Sequence, residues 1–353
     1  MLTSLSSLLL AFGASTLPVT PGGVPQAEVR VDSARREITL TARGISIPAG
    51  MTYAHHALES AVRFQWPVDG WVHGYRLDVV DSSGRPMPRT AFHHGGVANL
   101  DRRQLAYPIA ERLFAAGQET RPVMLPSSMG VPISTSEHLL FYYALVNPGA
   151  TPIENATVRL TVAWIPATSR PRTVLPVFFD ANPSTGVRRS FDLPPGRSTT
   201  RAEFTLPVGG KLRGLGAHLH DHAVEIRLED VQSGKVLARL STIRRDDGTL
   251  ISVAQTKFLL KRGGLRLAAG RAYRVVSVYD NPTCATITDG AMAFLAGPFV
   301  PDDTSKWPVL DRTDERFTAD YATLLGNTAI GHEGHEEEAH AGHAYHEPAQ
   351  ACK

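Results

Sequence analysis

Cysteine is nearly absent from this sequence. Only two cysteines, Cys284 and Cys352, occur among 353 residues, and the second lies close to the last residue. A network of disulfides therefore does not hold the fold together. A chain of this length can rely on hydrophobic cores instead, and it is long enough for two ordinary domains.

An excess of charge of one sign is also absent. The 36 Lys and Arg residues nearly balance the 34 Asp and Glu residues, which leaves a formal net charge of +2. Aromatic residues make up 7% of the chain, and they are scattered rather than arrayed for stacking on bases. These features argue against a nucleic-acid-binding protein. A hydrophobic fraction of 42% and a charged fraction of 20% are typical of a soluble globular protein.

Long hydrophobic runs are missing except at the first residues. Met1–Ser15 is apolar and ends in small residues, although no Lys or Arg precedes the run. It is too short and too interrupted for a membrane span, and no other segment approaches one. We therefore predict a signal peptide over residues 1–22 and export to the periplasm or the exterior. The alternative is a disordered cytosolic terminus.

Glycine and proline, in contrast, are plentiful, with 30 and 25 residues. Clusters such as Asp81–Gly84 and Asp246–Gly248 separate segments in which apolar and polar residues alternate. The alternating segments include Ala27–Ala42, Val72–Val80, Ala156–Trp164 and Ala202–Leu206. This pattern predicts an all-β protein of two tandem antiparallel β-sandwiches, jelly-roll-like in type, rather than a wound α/β sheet.

Few helices are expected. Tyr107–Gly117 has Pro near its start, Gly at its end and apolar residues at helical spacing, and Asp314–Leu325 is a second candidate helix. The link Ile165–Arg172 contains Pro and Arg, so we place the first domain at 27–168 and the second at 172–300. Residues 301–353 form an extension whose His- and Glu-rich end is predicted to be disordered.

Histidine occurs at every second position in Gly216–Leu228, GAHLHDHAVEIRL. In a continuous strand, His218, His220 and His222 share one face, with imidazoles about 6 to 7 Å apart. Two of them could bind one metal ion. The alternative is a polar, solvated edge strand.

Other candidate ligands lie elsewhere in the chain. His93 and His94 are adjacent, as are His55 and His56. Met292 lies on an apolar segment after a turn, where methionine usually fills a core. Two imidazoles and a thioether would form a soft site that suits copper.

The combination resembles the type II copper, ascorbate-dependent monooxygenases, whose animal members are the peptidylglycine and dopamine hydroxylases. Thr90–Gly95 is similar to the family's His-His segment, Gly216–His220 to its His-x-His strand, and Gly290–Phe294 to its methionine-bearing strand. The similarity runs loosely from residue 47 to residue 299, and the order of the three motifs is more specific than any one of them.

The resemblance implies two copper centres, one in each domain. His218, His220 and Met292 would hold the catalytic copper, where O₂ reacts with a C–H bond of a small organic substrate. His93 and His94 would hold a copper that stores an electron, replenished by ascorbate or another reductant. Two centres are implied because this reaction takes two electrons from outside the substrate.

The first centre departs from the family pattern at its third histidine. Val146 occupies the aligned position, and His138 and His73 are the substitutes that the chain offers. His138 would need a shift of strand register, and a shift of one residue changes the face.

The chain also departs from the family pattern at the residue that would bind the substrate. Peptide-hydroxylating members place an arginine for a substrate carboxylate two residues before the His-x-His pair, and that position is Gly216 here. Arg213 is the nearest arginine upstream. A substrate with a C-terminal glycine is therefore not expected.

The remaining histidines have alternative roles. We expect His55 and His56 to be structural or hydrogen-bonded rather than ligands. His222 is either a partner of the ligands or a solvent-facing neighbour. The tail is either a solvated acidic segment or a flexible chelator of Cu²⁺, Zn²⁺ or Ni²⁺. Its histidines are His332, His335, His340, His343 and His346.

Three functions remain open at this stage. The first is a copper-dependent monooxygenase that hydroxylates a C–H bond with O₂ and an external reductant. The second is an exported copper-binding or buffering protein without oxygenase activity, which the missing third histidine favours. The third is a structural or interaction module, which would bind no stoichiometric copper without its tail.

Overall fold

The computed structural model describes residues 28–51, 58–183, 190–258 and 263–326. Within these ranges nearly all regular structure is β-strand, and the strands of each sheet pair antiparallel apart from one short parallel pairing. The predicted all-β fold of antiparallel sheets is confirmed. The predicted signal segment, His55, His56 and the five tail histidines lie outside the described residues.

The first eleven strands form two facing sheets, which we call the first sandwich. They are β1 (Glu28–Asp32), β2 (Glu37–Ile47), β3 (Leu58–Gln65), β4 (Gly70–Val80), β5 (Phe92–Arg103), β6 (Ala110–Gly117), β7 (Val123–Met124), β8 (Met129–Ile133), β9 (His138–Leu145), β10 (Ile153–Pro166) and β11 (Arg172–Thr173). One sheet has the order β1-β2-β10-β4-β8-β11, with β7 also on β4, and the other has the order β3-β9-β5-β6. Leu40, Val97 and Phe141 belong to the core of this sandwich.

The later strands form the second sandwich. They are β12 (Leu175–Asp180), β13 (Phe191–Leu193), β14 (Gly196–Thr205), β15 (Gly210–Leu212), β16 (Gly214–Leu219), β17 (Ala223–Asp230), β18 (Val236–Arg244), β19 (Leu250–Val253), β20 (Thr256–Lys257), β21 (Leu265–Leu267), β22 (Ala272–Asn281), β23 (Ile287–Ala291) and β24 (Ala293–Pro301). The sheets have the orders β20-β16-β24-β15-β21, with β12 also on β24, and β14-β22-β17-β18-β19, while β13 pairs with β23. Phe179, Leu228 and Leu295 belong to its core.

Alternation of side chains explains why these segments form half-buried strands. In β2, Ile38 and Leu40 are fully buried, whereas Glu37 and Thr39 are only partly covered. Successive side chains of a strand point to opposite faces, so the apolar set faces the other sheet. The turns predicted at 81–84 and 246–248 are present, and each contains a glycine with positive φ, Gly84 at 80° and Gly248 at 89°.

The helix predicted over Tyr107–Gly117 is wrong. Most of this segment is strand β6, which pairs with β5 from His94 opposite Gly117 to Arg103 opposite Ala110. Seven of the eight residues of β6 are buried, including the charged Glu111 and Arg112, so both of its faces are covered by the protein. A short apolar run of this kind has no clear period of two, and pairing with β5 decides its conformation.

The second helix prediction is confirmed. Helix α1 covers Glu315–Gly326, and the Asp314 carboxylate accepts a hydrogen bond from the Arg316 N–H at its start. Phe317 and Leu324 pack into a small third core with residues of the first sandwich. No helix among the described residues is long and apolar enough to cross a membrane.

The histidine-rich segment is not one strand. Strand β16 ends at Leu219 and β17 begins at Ala223, with a turn at Asp221 and His222 between them. His222 adopts φ of 67°, in the left-handed region, and its N–H donates to the Gly248 carbonyl. The prediction that His222 shares a strand face with His218 and His220 is therefore wrong.

We expect Asp320→Ala to reduce stability by about 3 to 5 kcal/mol, because it leaves a buried guanidinium without its partner. Arg112 on β6 binds both carboxylate oxygens of Asp320 on α1, and both side chains are almost fully buried. Guanidinium denaturation would measure the loss. The matched control is Glu28→Ala at the exposed pair Glu28–Arg43, where the change should stay below about 1 kcal/mol. Equal effects at both positions would contradict the assignment.

Candidate metal centre

The structure brings the two predicted histidine pairs together in one place. His93 and His94 lie on β5 of the first sandwich, while His218 lies on β16 of the second and His220 directly follows that strand. The ring of His93 has its centroid 4.6 Å from that of His94, 5.5 Å from that of His218 and 4.9 Å from that of His220. We call these four residues the histidine cluster.

An irregularity in β5 accounts for two adjacent histidines in one cluster. Neighbouring side chains of a regular strand point to opposite faces, so a regular strand would send only one ring there. Phe92 pairs with Leu145 and His94 pairs with Ala144, so β5 advances two residues while β9 advances one. This register shift makes His93 the extra residue of a β-bulge, and bulges re-aim side chains in this way.

Three nitrogens of the cluster are close enough for one metal ion. One ring nitrogen from each of His93, His94 and His218 lies within 4.8 Å of the other two. Bonds of about 2.0 to 2.1 Å in a tetrahedral site need nitrogens about 3.3 Å apart, so small side-chain rotations would complete the geometry. His220 is outside this trio, but its ring lies 5.4 Å from that of His218. The chain thus has a possible three-histidine metal site with a fourth histidine beside it.

Burial keeps two rings of the cluster in the neutral form that binds metals. His93, His218 and His220 are 5%, 2% and 5% exposed. Burial, reinforced by the neighbouring imidazoles, lowers the pKa of His93 and of His220 well below the ordinary histidine value. Both rings are therefore neutral near pH 7, and neutral imidazole is the form that binds a metal.

Glu119 fixes the orientation of His218. Its Oε1 lies 2.9 Å from His218 Nδ1, and both side chains are at most 3% exposed. An ionised carboxylate only accepts, so Nδ1–H donates, and in the neutral ring Nε2 carries the lone pair. Among the described residues Nε2 is buried and has no hydrogen-bond partner. A carboxylate on the far nitrogen of a histidine is the usual support of a metal ligand.

Gly117 provides the space for this contact. A Cβ at Gly117 would lie 2.4 Å from both Glu119 carboxylate oxygens and 2.6 Å from His218 Nδ1. Any side chain at this position would force the carboxylate and the imidazole apart. Neither Glu119 nor Gly117 was among the predicted site residues, because a glutamate just after a strand has the same local pattern as many loop residues.

The main chain of Met292 lies near that of His220, because both are hydrogen-bonded to the Tyr279 hydroxyl. Met292 separates β23 from β24, and its carbonyl accepts a hydrogen bond from the Tyr279 hydroxyl. The same hydroxyl accepts from the His220 N–H at 3.3 Å. These contacts hold the two backbones near each other, and coordination by the Met292 thioether stays a prediction.

His138 and His73, which the sequence offers as substitutes for the third histidine, are not among the three histidines whose nitrogens converge. His138 lies six residues along β9 from Ala144, which pairs with His94, a separation of about 20 Å. It is exposed and hydrogen-bonded to Asp101. His73 lies on β4, with Nδ1 3.4 Å from the Leu125 carbonyl oxygen.

Position 146 is near the cluster but carries no ligand. The Val146 N–H donates to the Ala91 carbonyl, two residues before His93. The third nitrogen comes instead from His218 of the second sandwich. The ring of His222 packs at Gly248, where a Cβ would lie 2.1 Å from its Nδ1, and it is not a member of the trio.

Comparisons with known proteins do not show a family for this chain. No family model matches it, and no curated protein matches it. Similar solved structures include a chain from Sulfolobus turreted icosahedral virus, at 9% identity and a TM-score of 0.33, covering 83% of this chain and 98% of that chain. Peptide:N-glycanase F has 10% identity and a TM-score of 0.30, with coverage of 69% and 96%. PNGF-II has 9% identity and a TM-score of 0.30, with coverage of 83% and 64%. Likenesses of this size carry no functional argument.

We expect Gly117→Ala to weaken transition-metal binding by about 10- to 100-fold, because it displaces the carboxylate that orients His218. The measurement is competition titration with Cu²⁺ or Zn²⁺ on the full chain with its five tail histidines replaced by Gln, the tail-substituted protein. Gly216→Ala is the matched control, since a Cβ at Gly216 meets no atom within 4 Å. Unchanged affinity in the Gly117 variant would argue against the role of Glu119.

Proposed function

We propose that this protein binds one copper ion at the histidine cluster and that copper binding is its basic function. The observation that supports this is the convergence of His93, His94 and His218 from two different sandwiches. Imidazole nitrogen suits copper, zinc, nickel and iron, and affinity for divalent ions of this series peaks at Cu²⁺.

The residues present fit such an ion. His218 Nε2 is buried and lacks a hydrogen-bond partner among the described residues, and an atom of this kind is costly unless it receives one. His93, His94 and His218 would hold the ion, and the neighbouring His220 could provide a fourth nitrogen ligand. When bound, copper supplies one-electron chemistry between its two oxidation states.

The residues around the cluster orient His218 and exclude solvent from the rings. Glu119 pairs with His218 Nδ1, which leaves the buried Nε2 as the ring nitrogen without a hydrogen-bond partner among the described residues. The two sandwiches cover the cluster, and His93 and His218 are almost completely shielded from solvent. The neutral rings of His93 and His220 can bind an ion near pH 7 without first losing a proton.

This proposal differs from the two-centre arrangement that the resemblance implies in the number of copper ions bound per chain. That arrangement needs one histidine pair in each of two separate sites, whereas here all four rings belong to one cluster. One copper ion per chain is therefore the expected stoichiometry for the described residues. A copper-binding or buffering protein, exported as the first residues predict, fits this stoichiometry.

A cavity beside the cluster favours monooxygenase activity as the second candidate function. The cavity is about 250 Å³ in volume, and both Glu119 and Phe294, which contact His218, line it. In such a reaction a C–H bond becomes C–OH, O₂ supplies the oxygen atom, and the other oxygen atom leaves as water. The two electrons and two protons come from an external reductant such as ascorbate. Ascorbate-dependent O₂ consumption that yields a hydroxylated product would distinguish the enzyme from the carrier.

We expect the tail-substituted protein to bind one equivalent of copper. His94→Ala and His218→Ala should each lower the affinity by more than about tenfold, because each removes one of three ligands. Metal analysis and EPR before and after ascorbate are the measurements. His138→Ala is the control, since this histidine is exposed and bonded to Asp101. Two equivalents, or none, would contradict the proposal.

Substitution of the tail is preferable to truncation near residue 301, which would remove α1 and the Asp320 contact.

Copper should also stabilise the fold. A ligand that binds only the native state, present at about 1,000 times its Kd, adds about 4 kcal/mol to the free energy of unfolding. Denaturation of the tail-substituted protein with copper, and again after removal of copper by a chelator, would measure this gain. The gain should be smaller in His218→Ala by at least about 1.4 kcal/mol, which corresponds to a tenfold loss of affinity. Equal stabilisation of both proteins would place the binding site elsewhere.

A further inference from the structure

The cavity beside the histidine cluster lies between the two sandwiches. The first sandwich contributes residues of β4, β6 and the segment 119–126, and the second contributes residues of β16, β20 and β24. Val72, Leu113, Leu215 and Phe294 are among its apolar lining residues. Met124 lines the cavity, is 63% exposed, and has its side chain against Gly74. Methionine is an adaptable side chain that suits the entrance to an apolar site.

Several polar side chains along the walls have partners within the protein. Arg112 is bound to Asp320, and Glu119 is bound to His218. Arg213 donates from Nη1 to the Gly263 carbonyl. Lys257 is exposed on the short strand β20. Two buried polar atoms of the walls, Arg213 Nε and Glu119 Oε2, have no hydrogen-bond partner among the described residues. The rest of the lining is mainly aliphatic and aromatic.

Gly216 leaves room that a side chain would fill. It lines the cavity, and a Cβ added to it would have no atom within 4 Å. Its backbone is held in β16 opposite Ala296 of β24, so the empty space is bounded by rigid strands. A glycine at this place keeps an apolar space open two residues before His218.

We propose that this cavity binds a small, uncharged, mainly apolar molecule of about the size of a substituted benzene ring. A dry apolar cavity of about 150 Å³ holds benzene. Pockets for drug-sized ligands begin at about 300 Å³. A volume of about 250 Å³ lies between these limits. Whether the bound molecule is also a substrate rests on the proposed function, whereas binding itself needs no metal.

The test is ¹⁹F NMR titration of the metal-free full chain with fluorobenzene and with 4-fluorobenzoate. Fluorobenzene is expected to bind saturably at one site, and 4-fluorobenzoate at least about tenfold more weakly, because a carboxylate loses its hydration in a mainly apolar cavity. Gly216→Leu should weaken fluorobenzene binding by at least about tenfold because its side chain enters the cavity. Gly216→Val is a smaller second variant, and thermal unfolding of both shows whether they fold.

Lys211→Leu is the matched control, since Lys211 is exposed on β15 and does not line the cavity. Fluorobenzene affinity should be the same in this variant and the unaltered protein. The proposal is overturned if fluorobenzene does not bind, if folded Gly216→Leu binds it unchanged, or if 4-fluorobenzoate binds more tightly, which would indicate an anion site at Arg213. Copper binding without fluorobenzene binding would refute the cavity assignment alone, and the converse result would refute the metal centre alone.

Discussion

The hydrogen bond between Glu119 and His218 joins the two sandwiches at the place where the rest of the site is built. One partner follows β6 of the first sandwich and the other lies on β16 of the second. Both side chains are almost fully buried, so separating them would leave a carboxylate in the interior without its donor. The contact therefore favours one relative position of the sandwiches. In that position His218 meets the rings of His93 and His94, and the cavity closes beside them.

The local backbone then determines which rings take part. The bulge in β5 turns His93 toward the same side as His94, and Gly117 leaves space for the carboxylate that supports His218. The turn at Asp221 and His222 ends the histidine strand, so only two of its three histidines reach the cluster. Each of these features is a departure from regular strand geometry. Departures of this kind cost stability and concentrate at functional sites.

Sequence periodicity predicted the all-β fold, the main strands and α1, because a period of two and helix-end signals are local. It also identified both histidine pairs, since residue type and spacing are visible in the chain. It could not predict that the pairs meet, because this depends on packing between segments more than 100 residues apart. Two local errors have the same origin. Strand β6 is buried on both faces and imitated a helix, and alternation through His222 concealed a turn.

The composition of the interface is hard to explain by stability alone. Three buried imidazoles, the half-buried ring of His94 and a carboxylate occupy a place where apolar residues of similar volume would avoid the cost of desolvation. The imidazole nitrogens and the Glu119 carboxylate create an environment that favours a cation over any neutral occupant. Since the nitrogens come from both sandwiches, an ion bound there would link them, and its binding free energy would add to that of the interface. The apolar cavity next to this cluster is lined by both sandwiches. The distance between its walls therefore depends on the same contacts that join the sandwiches at the cluster. Occupancy of the metal site and of the cavity are expected to be coupled for that reason, through the shared position of the two sandwiches.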